Sequence, residues 1–196
     1  NIWIGTQSGL YFFHAATREL SPYPIGGHDN QKYDIRSLLL DGDHLWIGTY
    51  AKGIRVVNLR TGAVKVYTHS RGIPYTICSN DVLCFYRGRN GEIYVGTSWG
   101  LCRYDAAKDN FMPIINIGSM ISITDMHEDM YNHLWIATSS SGVFTYNTIN
   151  GHYKNYQHER EDSTTITSNS IITLFEDVKG TMWFGTNGGG LCSFDA

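Results

Sequence analysis

The chain has 196 residues, 42% hydrophobic and 13% aromatic, with a net charge of −3 and no clustered Lys/Arg. That is apolar material enough for one large domain or a run of repeats, and it excludes the basic footprint of a nucleic-acid binder. No apolar run approaches the roughly 18 residues a membrane helix needs, and 21 Gly against 4 Pro indicates many tight turns.

One motif recurs along the chain: NIWIGTQSGL (1–10), HLWIGTYAKGI (44–54), EIYVGTSWGL (92–101), HLWIATSSSGV (133–143) and TMWFGTNGGGL (181–191). Its aromatic anchors are Trp3, Trp46, Tyr94, Trp135 and Trp183, spaced by 43, 48, 41 and 48 residues. A period of roughly 40–50 residues is the signature of a repeat architecture. Within each unit the periodicity is two, not 3.6. Apolar β-branched segments at 35–40, 82–86, 121–126 and 171–175 predict first strands. Turns of the type DGD (41–43), GRNG (88–91), EDMYN (128–132) and EDVKG (176–180) follow them. The Trp-bearing motif is the second strand, a Gly-rich turn leads to the third, and 63–67, 111–115 and 152–156 predict fourth strands.

Four antiparallel strands per unit describe a β-propeller blade, so the fold class is all-β. The expected blades are residues 1–33 (strands two to four), 34–77, 78–118, 119–167 and 168–196 (strands one to three), all in one propeller domain. Eighteen strands make about four and a half blades, which predicts a segment of a larger, seven-bladed propeller with blades on either side. Gly5, Gly48, Gly96 and Gly185, with Ala137 in the fourth motif, lie two residues after the aromatic anchor and so on the same face of the strand. A small residue there is expected to make room for a large ring where the neighbouring blade approaches. The following Thr suits a strand end, its hydroxyl bonding a turn amide. Residues that recur in every blade are expected to serve the blade.

The units resemble the two-component regulator propeller repeat over essentially the whole chain. The fullest match is 156–195, with a polar His/Asp-rich linker, Ser168-Asn169, an apolar strand, Glu176-Asp177, Gly180, Trp183, Gly185-Thr186, Gly190-Leu191 and Phe194-Asp195. Residues 67–105 follow the same pattern through Tyr67, His69, Ser79-Asn80, Gly91, Tyr94, Gly96-Thr97, Gly100-Leu101 and Tyr104-Asp105. Glu-Asp is lost in the second and third units, and Ala137 replaces Gly. The resemblance implies the extracytoplasmic, periplasmic part of a membrane-bound hybrid two-component histidine kinase of the Bacteroidetes type. It implies a sensor of oligosaccharides that controls polysaccharide-utilisation genes and forms a homodimer in its parent protein. The segment itself would pack on neighbouring blades or on a second propeller, would not touch nucleic acid, and would not be an enzyme. The alternative is a free-standing carbohydrate- or protein-binding propeller, or less directly a propeller glycosidase or lyase.

Catalytic and metal readings find little support in the residues. A glycosidase needs two placed carboxylates, whereas Glu128-Asp129 and Glu176-Asp177 fall at one repeated turn. Asp177-Val178-Lys179-Gly180-Thr181-Met182-Trp183 comes close to a sialidase-type Asp box but carries an extra residue, and that box is a structural turn. WD-repeat and kelch signatures are missing. The eight histidines form no H-x-x-x-H pair beside a carboxylate cluster, and His44/His133 and His69/His158 share repeat positions. No cofactor and no metal are expected. Cys78, Cys84, Cys102 and Cys192 form no C-x-x-C pair and are expected to be small buried strand residues. What varies between units is the turn between strands two and three and the linker between blades, which share one face of a propeller. Variable loops on a rigid frame are the usual home of binding residues. Tyr50, Lys52, Arg71, Trp99 and Asn187 are therefore the expected ligand contacts, an aromatic ring stacking on a sugar face.

Overall fold

The computed structural model describes residues 1–26, 32–114 and 121–194. It holds eighteen strands in five antiparallel sheets, each a simple meander. Sheet 1 is β1 (Ile2–Thr6), β2 (Gly9–His14) and β3 (Glu19–Tyr23). Sheet 2 is β4 (Ile35–Asp41), β5 (His44–Thr49), β6 (Ile54–Asn58) and β7 (Val64–Tyr67). Sheet 3 is β8 (Val82–Arg87), β9 (Ile93–Thr97), β10 (Gly100–Asp105) and β11 (Asn110–Pro113). Sheet 4 is β12 (Ile123–Glu128), β13 (His133–Thr138), β14 (Val143–Asn147) and β15 (Tyr153–Tyr156). Sheet 5 is β16 (Ile171–Glu176), β17 (Met182–Thr186) and β18 (Leu191–Phe194). Strand bounds differ from the sequence expectation by one or two residues. Linker residues 28–31, the end of the expected strand at Ile115, and Asp195 lie outside the described residues.

The first strands stand side by side, β4 against β8, β8 against β12 and β12 against β16, and each sheet packs its face on the next. This is propeller geometry, with the first strands innermost. Four apolar clusters fill the four spaces between sheets. Leu45 and Ile47 meet Leu10 and Trp3, for example, and Ile93 and Val95 meet Trp46 and Ile54. The outward faces of the two end sheets are apolar as well. Ile4 is 37% exposed, whereas its register equivalents Ile47, Val95 and Ile136 are fully buried. At the other end Phe175, beside Trp183, is 63% exposed. Both faces are built as internal blade faces, in keeping with a segment of a larger propeller.

The small residues of the second strands do mark where the next sheet approaches, but the group that fills the space differs from the expected large ring. A Cβ on Gly5 would lie 2.5 Å from Ile35 Cγ2; one on Gly48 would lie 2.8 Å from Val82 Cγ1; one on Gly96 would lie 2.9 Å from Ile123 Cγ2. In each case the neighbour is the β-branched residue that opens the first strand of the next sheet, and only Gly48 also meets a ring, Phe85 at 3.1 Å. The β-branched side chain is stiff at χ1 and cannot swing aside. The Thr at the end of each second strand mainly donates rather than accepts. Its hydroxyl binds the carbonyl of Gly9, Gly53, Gly100, Gly142 or Gly190 at 2.7–2.9 Å, and only Ser8, Trp99 and Ser141 return an amide to it.

A feature absent from the sequence expectation is a β-bulge near the start of every complete first strand. The register shifts between Ile35 and Ser37, Val82 and Cys84, Ile123 and Asp125, and Ile171 and Thr173. The extra residue sharpens the local twist, just after the β-branched residue that opens the strand, which in sheets 2, 3 and 4 meets the glycine of the preceding sheet.

Gly96→Ala is expected to destabilise the chain by about 1–3 kcal/mol, because the new methyl meets Cys84 and Ile123 in a packed space. Ala137→Gly, which removes a tolerated methyl, is expected to cost about 1 kcal/mol or less. Urea unfolding of the two variants checks the difference, and a neutral Gly96→Ala would show that the sheets can move apart.

Candidate functional site

The turns between second and third strands lie on one edge of the sheets and are tied down twice. Each donates an amide to the carbonyl just before its own first strand: Tyr50 to Asp34, Ser98 to Asp81, Ser139 to Ser122 and Asn187 to Ser170, at 2.8–3.0 Å. Each also reaches the linker into the next sheet, through Gly53 to Asn80, Gly100 to Ile121 and Gly142 to Asn169, at 2.8–2.9 Å. Gly53 and Gly142 must be glycine. Both have positive φ (70° and 74°), and a Cβ would lie 2.2 and 2.1 Å from the carbonyl oxygens of Tyr67 and Tyr156. The linkers repeat as well. Asn80 Oδ1 accepts from the His69 amide and Asn169 Oδ1 from the His158 amide, both at 2.7 Å. The imidazoles bond the Ile77 and Ile166 carbonyls at 2.8 Å through Nδ1. His69 and His158 thus hold linkers closed.

On this frame Tyr50 is 53% and Trp99 58% exposed, and Arg71 and Asn187 are exposed. Arg36 lies 5.3 Å over the Tyr50 ring. Lys52 is half-buried; its ammonium sits 4.7 Å from the Tyr33 ring, opposite Arg55 at 4.2 Å, and donates to the Lys32 carbonyl. Lys52 is therefore committed within the protein, while the Tyr50 and Trp99 rings face solvent. These five residues share an edge of the fold, but none lines a described cavity.

Two cavities lie in the clefts between sheets at the outer strands, toward the opposite edge, and another of about 360 Å³ opens beside the linker at Glu159, Thr165 and Ile166. One of about 470 Å³, between sheets 2 and 3, is lined by Trp46, Tyr67, Tyr104, Asp41, Asp109 and His44 among others. A second of about 560 Å³, between sheets 4 and 5, is lined by Trp135, Tyr156, Phe194, Asp129 and His133. In both, the Trp of the second strand stacks on a Tyr of the fourth, Trp46 on Tyr67 and Trp135 on Tyr156. A lysine two residues earlier lies over each Tyr, Lys65 at 5.2 Å and Lys154 at 4.4 Å. The sequence reading passed over this Trp-Tyr-Lys set, whose signal is the K-x-Y of the fourth strand.

The two clefts differ in their polar groups. In sheet 4, Asp129 is buried in its turn, accepts from the amides of Tyr131 and His133, and accepts the Trp135 indole N–H at 2.8 Å. Asp177 does the same for Trp183 at 3.0 Å, so the repeated Asp carboxylates are turn caps, while Glu128 and Glu176 bond the preceding sheet. In sheet 2 the turn is only Gly42-Asp43, with Gly42 in the left-handed region. Asp41, the register equivalent of Asp129, pairs instead with Arg87 of sheet 3 at 3.0 Å. Across the same cleft Asp109 accepts the hydroxyls of Tyr67 at 2.5 Å and Tyr104 at 2.7 Å and pairs with Lys65. Lys65 and the two hydroxyls hold the Asp109 carboxyl at a pKa of about 2. Burial, and then the hydrogen bond to Asp109, push the Tyr67 phenol far up. Among the described residues no group of three or more His, Cys, Asp or Glu is placed to hold a metal ion.

Two measurements test these contacts. Asp129→Ala strands an indole N–H and two amides, and is expected to cost about 2–3 kcal/mol by urea unfolding, with Asp129→Asn costing less. Asp109 has a folded pKa below its ordinary value of 3.8, so its contribution to stability is complete above about pH 4 and is lost as pH falls toward 2. The thermal midpoint of the parent is therefore expected to fall more steeply from pH 4 to pH 2 than that of Asp109→Asn.

Comparison with known proteins fits this architecture. Residues 165–188 match the family model described as two component regulator propeller. Histidine kinase P4 of Formosa agariphila is 35% identical over 75 residues, which is 38% of this chain and 5% of that protein. The extracellular domain of the putative hybrid two component system BT3049 of B. thetaiotaomicron superposes with a TM-score of 0.80 at 25% identity, over 96% of this chain and 24% of that one. That of BT4673 from the same organism superposes at 0.59 with 20% identity, over 99% and 31%, a likeness of fold alone. The chain thus spans a small part of the proteins it matches.

Proposed function

The chain carries the two component regulator propeller repeat, and from that premise we propose that it is part of the extracytoplasmic, periplasmic sensor region of a membrane-bound hybrid histidine kinase. The observation that carries this reading is the 0.80 superposition over 96% of the chain on the extracellular domain of such a system. The segment is non-catalytic in this reading: its recurring carboxylates Asp129 and Asp177 cap turns and hold indoles, and none is left as a placed acid–base pair. The ligand is an oligosaccharide, and the loop edge with Tyr50, Trp99, Arg71 and Asn187 contributes to its recognition. Lys52 acts there by setting the position of its loop. Tyrosine and tryptophan offer an apolar face for sugar C–H groups and carry little conformational entropy to lose.

Signalling needs no bond made or broken in these residues. A ligand that binds one arrangement of the propeller, or of its homodimer, more tightly than another shifts the population by that difference in affinity. The parent protein then passes the shift to its kinase and to polysaccharide-utilisation genes. In full-length protein, the double variant Tyr50→Ala/Trp99→Ala is expected to raise the half-maximal oligosaccharide concentration for autophosphorylation about tenfold or more, the loss of one or two aromatic anchors. An unchanged dose–response would remove the loop edge from recognition.

A further inference from the structure

The cleft between sheets 2 and 3 has a property that the cleft between sheets 4 and 5 lacks. Trp46 is only 4% exposed and lines the cleft, yet its indole N–H has no acceptor among the described residues. The indoles of Trp135 and Trp183 are both taken by the Asp of their turn. The shortened Gly42-Asp43 turn and the diversion of Asp41 to Arg87 leave Trp46 without one. Its nitrogen is not among the sealed, unsatisfied polar atoms, so it is reached from the cleft. A donor that opens into the cleft takes its acceptor from whatever occupies the cleft, water or ligand.

The rest of the lining limits what that something is. Tyr67 and Tyr104 provide aromatic surface against Trp46, and Val56, Ala63 and Val64 provide apolar surface. The charges are already paired within the protein: Lys65 with Asp109 and Asp41 with Arg87. A net-charged ligand would have to break one of these pairs. Asn58 Nδ2 and His44 Nε2 touch at 3.3 Å, and Asn58 Oδ1 accepts the Arg60 and Thr61 amides of its turn, which leaves a second amide N–H of Asn58 and the His44 ring for the cleft. A neutral molecule with hydroxyls along its edge and C–H groups on its faces suits aromatic walls, one fixed N–H donor and an amide–imidazole pair. The volume of about 470 Å³ falls in the range of small-molecule pockets.

We propose that this outer cleft is a second binding site, for a neutral saccharide, with the Trp46 indole N–H and Asn58 as its polar anchors and Tyr67 and Tyr104 as its wall. The site lies at the edge opposite the Tyr50/Trp99 loops and stands independently of recognition there. Its walls come from two four-stranded sheets whose cleft residues are all described.

The test uses the full-length protein and a panel of neutral sugars: glucose, galactose, mannose, xylose, cellobiose, maltose and lactose. Saturation-transfer NMR and tryptophan fluorescence read binding. At least one member is expected to bind saturably. Trp46→Phe, which keeps a ring and removes the N–H, and Asn58→Asp, which keeps the oxygen that caps the turn and removes the amide N–H, are each expected to weaken it about fivefold or more. Tyr50→Ala/Trp99→Ala reports separately on the loop edge. The thermal midpoint of each variant, measured without sugar, separates a lost contact from a folding defect. No saturable binding by any member, or parental affinity in both cleft variants, overturns the proposal. Loss only in the Tyr50/Trp99 variant overturns it as well and assigns the sugar to the loop edge.

Discussion

The arrangement of the sheets rests on a side chain that is missing. At Gly5, Gly48 and Gly96 the second strand offers bare backbone, and the β-branched residue that opens the next first strand sits where a Cβ would be. Because Ile35, Val82 and Ile123 are stiff at χ1, their position fixes the approach of the whole following sheet. The aromatic anchor two residues earlier lies on the same face, and with the approach fixed its ring fills the wider space farther along the strand. Trp46 meets Phe85 and Tyr104 of sheet 3, and Trp135 meets Phe184 and Phe194 of sheet 5. Small and large residues at a spacing of two thus create one wedge-shaped contact, and repetition of the wedge sets the rotation from blade to blade. Ala137 shows the tolerance of the scheme, since one methyl is accepted there, fully buried against Ile171 and its neighbours.

A second constraint is hydrogen bonding along the edges. The turn after each second strand is bonded both to its own sheet and to the linker that begins the next, so neighbouring sheets share backbone bonds as well as apolar surface. At the inner strands, side chains add cross-sheet links. Asp125 accepts from the Thr173 hydroxyl and the Leu174 amide, Glu128 accepts from the Arg89 amide, and His127 meets Glu176 at 2.9 Å. Such bonds differ at every interface, whereas the wedge does not. The common contact makes the propeller, and the particular bonds decide how firmly each pair of sheets is held.

Much of this was legible in the sequence because strands with one repeated face announce themselves by alternation and by the period of the aromatic anchors. The number of strands, their order in each sheet and the structural role of the repeated Gly and His residues could be read directly. The bulges could not, because the extra residues Arg36, Leu83, Thr124 and Ile172 share no residue type that would mark them. Exposure of Tyr50 and Trp99 was legible from their place in turns. Whether they converge was not, since turns on successive blades are separated by the rotation between sheets. The outer cleft was missed for a related reason. Trp46, Tyr67 and Lys65 each recur in sheet 4, and recurrence points to the blade, while Asp109, which joins them to sheet 3, comes from a turn with no counterpart in the motif.

The departure from the repeat in sheet 2 links the cleft to the contact between blades. Losing the Glu-Asp turn has two consequences at once. It leaves the Trp46 indole N–H without its usual acceptor, and it turns Asp41 toward Arg87, a charge pair across the interface. Lys65 and Tyr67 make the matching connection to Asp109 at the outer strands. Every polar group that joins the cleft walls therefore also joins sheet 2 to sheet 3. A ligand between these walls competes with or reinforces those contacts, and any difference in its affinity for closer or wider sheets becomes a bias on their spacing. In the interface between sheets 4 and 5 the same Trp is fastened to its own turn, so occupation of that cleft has no free indole N–H to engage. The asymmetry thus sets the interface of sheets 2 and 3 apart from that of sheets 4 and 5 in the polar groups it offers, within an otherwise repetitive frame.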